Sequence, residues 1–482
     1  MNSPKALGAM VFAFGAALAA APPARGDVPE HPAVLPEDPS RPPGEKRPPQ
    51  DYEGRPRETT AAEGALWIPR VLFAPLYVVS DYVIRRPLGA ITTVIDREGI
   101  VAKVTDFFTF GPHHNVGLIP TAFYEFGFRP SVGLYHFYDD FLVTDNQLRA
   151  SVATGGERYF AARVVDRVPL DVEVEPDGSH RVRSNLQLEA DGVVRADYLF
   201  YGVGYRSRYA DESRFEQRSV GGGIRTHVEP RKANFVEAWA VVRHHSFSDE
   251  SCPVWPHECP TLPISRAVAR GLYPLPDGFA GYTAVKVGGR VVLDSRQPRP
   301  GPGSGVGLDA HAELGSDVGS HVEWAQVGGS VGGFIDVTGT RRVLGLLVDV
   351  RAIEPFSSTA RVPFTELIGS GRTDRVPDDE PLLGFTPGRL LGETSAAASV
   401  TYTWPIWSFV DATLRAQVGN VFGRDFEDFE LERLRFSFVG GFQSPNHRDH
   451  ALNLLLGFGT KPFAEGGEPE SVRFLVGGTT GF

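Results

Sequence analysis

The sequence predicts an all-β protein, a transmembrane antiparallel β-barrel of about 16 strands preceded by a short N-terminal helical segment. The chain combines 54 Gly and 39 Pro with 32 Phe, 14 Tyr and 6 Trp among 482 residues, which fits neither an ordinary core nor disorder. Outside the N-terminal segment, no uncharged apolar run reaches the roughly 18 residues that a membrane helix needs. From about residue 114 onward, apolar and polar residues alternate with the period of a strand.

Net charge and cysteine content exclude several classes of protein. The formal charge of −11 provides no basic surface, so no nucleic-acid partner is expected. Two cysteines cannot hold together a disulfide-rich scaffold. The sequence contains no nucleophile elbow, zinc-protease motif, P-loop or dinucleotide fingerprint, so we expect neither an enzyme nor a bound cofactor.

Two adjacent histidine pairs are the remaining candidates for chemistry. On a strand, His113 and His114 would point to opposite faces, as would His244 and His245, so neither pair can bind one metal ion. A hydrolase site that joins His244 or His245 to Ser246 lacks an oriented third residue. We therefore expect no metal site and no catalytic residue.

The N-terminal part of the chain predicts three successive segments. Residues 1–26 combine Lys5 with an alanine-rich apolar stretch and small residues at cleavage sites, as in a secretory signal peptide. Residues 27–62 are rich in proline and charge, which predicts a disordered linker. In residues 63–113, apolar side chains recur at helical spacing, which predicts a periplasmic helical segment that either closes the barrel end or plugs its lumen. Residues 114–482 would form the barrel.

The clearest strand pattern lies at Val410–Val418, where Val, Ala, Leu, Ala and Val alternate with Asp, Thr, Arg and Gln. Because successive side chains on a strand point to opposite faces, one face is apolar and the other polar. The polar face carries Asp411, Arg415, Gln417 and then Gly419, and we expect it to line the lumen. Similar alternation is present at Leu434–Phe438, Ser399–Trp404, Phe235–Val242, Val285–Leu293 and Val322–Trp324.

A soluble β-sandwich also produces alternating strands, but three features favour the barrel. Residues 114–482 provide about 23 residues per strand with its connection, which suits the ~10-residue strands and unequal loops of outer-membrane barrels. Aromatic residues gather at strand ends, as interface girdles require. The last predicted strand, Ser471–Phe482, would be an exposed edge in water, whereas closure of a barrel removes that edge.

The predicted connections alternate in length. Pro405–Trp407 and Pro445–Asp449 are predicted to be tight turns. The segments 249–279, 296–303 and 354–395 are predicted to be long loops. This unequal distribution is typical of barrels with short turns at one membrane face and long loops at the other.

The first of these long loops contains Cys252 and Cys259. In an exported protein, two cysteines so close in sequence predict a local disulfide. A metal site that adds His257 to both thiols is the alternative, although no fourth ligand is visible.

A loop motif and the strands that follow it resemble a known family. The stretch Leu382–Arg389 (LLGFTPGR) resembles a loop motif (Val/Ile)-Arg-Gly-(Phe/Tyr) followed by Gly-Arg, with motif positions at Leu383, Gly384, Phe385, Gly388 and Arg389. Strand-like segments follow as SVTYTWPIW at 399–407, AQVGNVF at 416–422, LRFSFVGGF at 434–442, NLLLGFG at 453–459 and RFLVGGTTGF at 473–482. In this order and spacing, residues 380–482 resemble the BamA/TamA superfamily, or bacterial surface antigen family, which implies an outer-membrane barrel.

The chain departs from this family at the contact between loop and wall. Leu383 replaces the family's loop arginine, and Gln417 stands where the neighbouring strand has an aspartate. The resemblance implies that these two charged groups meet inside the barrel and hold the loop to the wall, so their joint replacement predicts a coherent loss of that ion pair. Arg389 and Asp411 are candidates for a substitute ion pair. Residues 27–113 also lack room for more than one POTRA domain, the ~75-residue unit that precedes the family's barrels.

The resemblance implies a barrel that takes part in the assembly or translocation of a membrane protein or lipid. Such a barrel would act through a weak seam between its first and last strands. The alternative is a passive pore or structural surface barrel that has lost this function. Few hydrogen bonds between strands 114–127 and 471–482 would favour the role in assembly or translocation. A uniformly paired seam and an open lumen would favour the passive barrel.

The resemblance also implies a location and partners. The expected location is the bacterial outer membrane, with outer-membrane lipid around the barrel. Gly477 and Phe482 fit the terminal signal that the resident assembly machinery reads, so the chain would be a client of that machinery. A translocated protein or lipid would be the further partner.

Overall fold

The computed structural model describes residues 71, 107–111, 113–175, 178–249, 261–297, 303–370, 380–407, 410–443 and 452–478. The chain divides into two units, Met1–Ile68 and Pro69–Phe482, and all described residues belong to the second. The predicted signal peptide and linker, and most of the predicted helical segment at 63–113, lie outside the described residues.

Eighteen strands form one sheet. Two of them, β1 (Thr109–Phe110) and β9 (Leu262–Pro263), are only two residues long. The other sixteen are β2 (Val116–Glu125), β3 (Ser131–Asp139), β4 (Gln147–Gly156), β5 (Tyr159–Val174), β6 (His180–Phe200), β7 (Ser213–Arg231), β8 (Asn234–Ser248), β10 (Tyr282–Asp294), β11 (Gly305–Asp317), β12 (Glu323–Asp336), β13 (Val343–Pro355), β14 (Thr394–Trp407), β15 (Val410–Phe422), β16 (Arg435–Gln443), β17 (Leu452–Thr460) and β18 (Pro469–Gly478).

These sixteen strands close into an antiparallel barrel, which confirms the predicted fold class. Each strand pairs with the next one along the chain, β8 pairs with β10, and β18 returns to pair with β2. Closure gives every wall strand two neighbours, so the predicted last strand is not an exposed edge.

Helices are few and short in the described part of the chain. The α-helix α1 (Ile264–Ala269) lies in the connection between β8 and β10. Single 3₁₀ turns lie at Tyr209–Asp211, Phe364–Glu366, Arg424–Phe426, Leu431–Arg433 and Phe463–Glu465. None of the helices described is long and apolar enough to cross a membrane.

The connections differ between the two ends of the barrel. Strand β2 begins, and β18 ends its described part, at the same end, which we call the terminal end. Because the strands alternate in direction, the longest connections all lie at the opposite, distal end: 201–212, 249–281, 356–393 and 423–434. The predicted long loops at 249–279 and 354–395 are therefore confirmed on one side of the barrel, whereas the third, 296–303, falls between β10 and β11 at the terminal end.

One predicted turn is wrong. Pro405–Trp407 belongs to strand β14, and Pro405 pairs with Asp411 of β15 beside a register shift between Pro405 and Trp407. A proline is tolerated there because a strand end with a bulge does not need its missing N–H group. The predicted turn at 445–449 lies outside the described residues.

Alternating side chains give the wall an apolar outside and a polar inside. On β15 the predicted polar residues are inward, and on β8 the adjacent His244 and His245 point to opposite faces, exposed and 1% exposed respectively. Large apolar side chains remain exposed on the outer face, among them Leu134, Val164, Val220, Val287, Leu314, Leu346, Leu456 and Val472. Such a belt of exposed apolar residues is what a barrel presents to lipid.

Glycine and aromatic residues are paired across the inner wall. Gly288 is the cross-strand partner of Trp239, and Gly315 is the partner of Trp324. A Cβ atom at either glycine would overlap the indole ring of its partner. The ring therefore lies flat over the glycine, as in the aromatic rescue of strand glycines. This pairing accounts for part of the unusual glycine and aromatic content of the chain.

Candidate functional site

The connection 356–393, which we call the inserted loop, occupies the distal end of the barrel interior. Its described parts, 356–370 and 380–393, contribute Val362, Phe364, Leu367, Ile368 and Leu391 to a buried apolar cluster. The cluster also contains wall residues and part of the connection with α1: Phe200, Phe215, Ile264, Tyr282, Ala284, Trp324 and Ile353. The distal part of the lumen is therefore packed with side chains.

Two tyrosines add polar contacts to this distal packing. The hydroxyl of Tyr201 donates to Glu212 Oε2 at 3.0 Å, and that of Tyr273 donates to Ser213 Oγ. Burial raises the pKa of the Tyr273 hydroxyl to about 12 and raises that of Tyr201 as well. Both phenols therefore stay protonated and remain donors at physiological pH.

The predicted loop motif lies in the second half of the inserted loop, against the wall. The amide of Leu383 donates to Gln417 Oε1 at 2.9 Å, and the amide of Gly384 donates to Ser437 Oγ at 2.8 Å. A Cβ atom at Gly384 would overlap the carbonyl oxygen of Phe458, so only glycine fits. With Leu383 and Gln417 in place of a charged pair, the neutral amide of Gln417 binds the loop backbone and still joins the loop to the wall.

Phe385 and Gly388 fit the loop closely to the barrel. The ring of Phe385 covers Gly459 of β17, where a Cβ atom would overlap it. Gly388 has φ +78°, and a Cβ atom there would lie 2.5 Å from the carbonyl oxygen of Leu199. Phe385 therefore packs closely only because residue 459 is a glycine. Gly388 is itself required, because its backbone is left-handed and lies close to the wall.

Arg473 of β18 is a cation shared by the wall and the inserted loop. Its Nε donates to Glu125 Oε1 of β2 at 2.6 Å, and its Nη2 donates to Glu380 Oε1 of the loop at 3.1 Å. Its Nη1 lies 3.3 Å from the carbonyl oxygens of both Leu383 and Phe385. One guanidinium group thus connects the first strand of the barrel, the last strand and the loop.

Arg389 binds the last strand and does not bind Asp411. Its Nη2 donates to Glu470 Oε1 at 2.7 Å, and its Nη1 donates to Ser207 Oγ at 2.8 Å. Arg435 of β16 donates to the other oxygen of Glu470 at 2.5 Å. The predicted Arg389–Asp411 pair is wrong because Asp411 begins β15 at the terminal end, whereas Arg389 lies at the distal end.

The four predicted lumenal residues of β15 have separate environments. Asp411 and Gln417 are buried, Arg415 is half-buried, and only Gln417 contacts the loop through a described hydrogen bond. Gly419 lies so close to Ala396 and Ala397 of β14 that a Cβ atom there would overlap the backbone. The structure therefore brings Gln417, and not the whole strand face, to the loop motif.

Glu366 is a second anchor of the inserted loop that the sequence does not indicate. It is fully buried, and its carboxylate accepts a hydrogen bond from Tyr282 OH at 2.8 Å. Its oxygens lie 3.5 Å from Lys286 Nζ of β10 and 3.9 Å from His245 Nε2 of β8. These groups come from three distant parts of the sequence, so no motif could have indicated them.

The seam between β18 and β2 joins the last and first strands of the wall, and residues 479–482, which follow β18, lie outside the described residues. Its register comprises three pairs, Leu475–Glu125, Val476–Tyr124 and Gly477–Phe123. The β16–β17 ladder comprises seven pairs and the β2–β3 ladder eight. The described seam is reinforced by the Arg473–Glu125 ion pair. A further backbone hydrogen bond, from Phe126 N–H to the carbonyl oxygen of Phe474 at 2.8 Å, also joins the two sides of the seam.

Gly477 lies on this seam opposite Phe123. A Cβ atom at Gly477 would lie 2.7 Å from the Phe123 Cα atom, so a side chain there would push the two strands apart. Phe482, the other residue of the predicted terminal signal, lies outside the described residues, as do Cys252, Cys259 and His257 of the predicted disulfide and its metal-binding alternative. Among the described residues, no three His, Cys, Asp or Glu side chains are placed to hold a metal ion.

Comparison with known proteins reveals similar barrels. No family model matches the chain, and no curated protein matches it. A structure of BamA from Haemophilus ducreyi lacking POTRA domains 1–3 is 14% identical, with a TM-score of 0.49, over 76% of this chain and 70% of that one. CdiB from Acinetobacter baumannii is 10% identical, with a TM-score of 0.41, over 76% of this chain and 60% of that one. CdiB from Escherichia coli is 11% identical, with a TM-score of 0.44, over 75% of this chain and 62% of that one.

Proposed function

We propose that the protein is an outer-membrane barrel of bacteria that helps to assemble or translocate a membrane protein or lipid. The belt of exposed apolar residues on the outer face supports the membrane location. Both described chain ends of the barrel lie at its terminal end, which would face the periplasm, and the long distal loops would face outside. Membrane lipid would then surround the outer face of the barrel.

The seam between the first and last strands of the wall is the observation that carries this proposal. Within the described residues, three register pairs, the Phe126–Phe474 backbone hydrogen bond and the Arg473–Glu125 ion pair join β18 to β2. No connection of the chain joins these two strands directly, so the wall could open here by breaking their pairing alone. A client segment would pass from the lumen towards lipid between these two strands.

The inserted loop supports the same route. It fills the distal end of the lumen with apolar side chains and is held by Gln417, Arg473 and Glu366. A client that enters from the terminal end therefore meets a closed end and has the seam beside it. A passive pore, the alternative function, would need this loop to leave the lumen.

Deletion of the gene, followed by quantification of the outer-membrane protein and lipid content, tests the proposal. We expect the level of at least one other outer-membrane component to fall, and expression of the full chain to restore it. The purified chain in a planar bilayer should conduct little, because the inserted loop occupies the lumen. A stable ohmic conductance together with an unchanged outer membrane after deletion would establish the passive pore instead.

A further inference from the structure

A groove on the outer face of β5 to β8 has no part in the seam or the inserted loop. Its volume is about 340 Å³. It crosses two neighbouring rows of the sheet, one through Phe160, Val194 and Arg218 and the next through Gly192, Val220 and His244. All six residues line the groove. It lies near the distal end, since Phe160 is the second residue of β5 and β5 begins there.

The groove exists because Gly192 has no side chain. A Cβ atom built on Gly192 meets only the carbonyl oxygen of Ser219, at 3.7 Å, which is ordinary contact. Phe160 and Val220, which are 48% and 62% exposed, form apolar walls around this gap. An apolar gap of this kind on a lipid-facing wall suits an acyl chain.

One rim of the groove carries a cation, Arg218, and the imidazole of His244. Arg218 donates from Nε to Glu216 Oε1 at 2.6 Å, yet its side chain is 61% exposed. Glu216 is 1% exposed and also binds Arg158, so the exposed Arg218 guanidinium shares this carboxylate with a second one. His244 Nδ1 lies 2.9 Å from Thr283 Oγ1, so Nε2 is the ring nitrogen that can take a ligand. The rim therefore complements an anion.

We propose that this groove binds an anionic phospholipid, with the phosphate on Arg218 and His244 and one acyl chain over Gly192. Guanidinium groups bind phosphate through paired N–H donors, and a cation at the membrane interface attracts anionic lipid. The apolar floor lies directly beside the cationic rim, as the phosphate and acyl parts of a lipid require. This site would hold a bound lipid on the wall at a fixed place, independently of the seam.

Native mass spectrometry of the full-length chain in detergent tests this site. The probes are phosphatidylglycerol and phosphatidylcholine with identical acyl chains, because choline neutralises the phosphate charge. We expect one phosphatidylglycerol to bind at least about fivefold more tightly than phosphatidylcholine. Replacement of Arg218 by glutamine (Arg218→Gln) should weaken phosphatidylglycerol binding about tenfold through the loss of a charge-assisted contact.

A groove-filling variant separates the acyl contact from the charge. Gly192→Leu should weaken both lipids, because the leucine side chain occupies the gap. Gly333→Leu is the matched control: a Cβ atom at Gly333 meets nothing within 4 Å, and Gly333 lies on β12, outside the groove. Retained barrel mobility in unheated gels confirms folding of each variant. Equal binding of both lipids to the unmodified chain, or unchanged phosphatidylglycerol binding by Arg218→Gln and Gly192→Leu, would overturn the proposal.

Discussion

Replacement of Arg473 by alanine is expected to lower the free energy of unfolding by about 3–5 kcal/mol and to release the second half of the inserted loop. Arg473 is 8% exposed and binds Glu125 across the seam and Glu380 in the loop. Without the guanidinium group, two carboxylates of low exposure lose their shared cation, and burial of an uncompensated charge is costly. The same substitution also removes the donors that bind the backbone carbonyls of Leu383 and Phe385.

The midpoint temperature at which the barrel loses its compact mobility in gels measures this effect, and limited proteolysis measures release of the loop. Lys461→Ala is the matched control, because it removes a cation whose only described ion pair, with Glu468, is exposed. We expect Arg473→Ala to lower the midpoint strongly and Lys461→Ala to leave it unchanged. Equal midpoints for the two variants would contradict a shared cation at the seam.

Replacement of Glu366 by glutamine is expected to open the lumen to ions. Glu366 is fully buried, and its carboxylate lies 3.5 Å from Lys286 Nζ, which is itself 2% exposed. Removal of the Glu366 charge weakens the compensation of Lys286, whose Nζ also lies 3.9 Å from Glu313 Oε1, and so weakens the hold on the loop. The first half of the inserted loop would then be held mainly by apolar contacts, and its departure would clear the distal end.

Planar-bilayer conductance measures this opening directly. We expect Glu366→Gln to conduct in longer and more frequent openings than the unmodified chain. The double variant Glu366→Gln with Lys286→Met removes both charges, so it should regain part of the closed state. If both variants remain as closed as the unmodified chain, Glu366 is not an anchor of the loop.

The strands of this barrel could be predicted from the sequence because alternation is a local signal. Val410–Val418 alternates without error, and β15 contains it in full. The adjacent histidines of β8 were assigned to opposite faces for the same reason. Strand ends were harder to predict, as Pro405 illustrates, since a proline is compatible both with a turn and with a bulged strand end.

The contacts of the inserted loop could be predicted only in part. The motif places Leu383 beside Gln417, but the loss of both charges gives no sign of the hydrogen bond that joins the two residues. The hydrogen bond survives because an amide side chain can bind a backbone N–H group as a carboxylate does. Arg473 gives a weak signal in the sequence, since it is the single cation of the terminal strand β18. Glu366 left none, since its partners are brought together only by closure of the barrel.

The most direct test of the proposed seam is a disulfide across it. In a chain with Cys252 and Cys259 replaced by serine, Tyr124→Cys and Val476→Cys would join directly paired residues of β2 and β18. Ala416→Cys with Phe438→Cys, directly paired on β15 and β16, is the control. Both chains are expressed in the deletion strain, and the affected outer-membrane component is measured before and after reduction. We predict that the oxidised seam fails to restore the component until it is reduced, whereas the oxidised control restores it throughout. Full restoration by the oxidised seam would contradict the account.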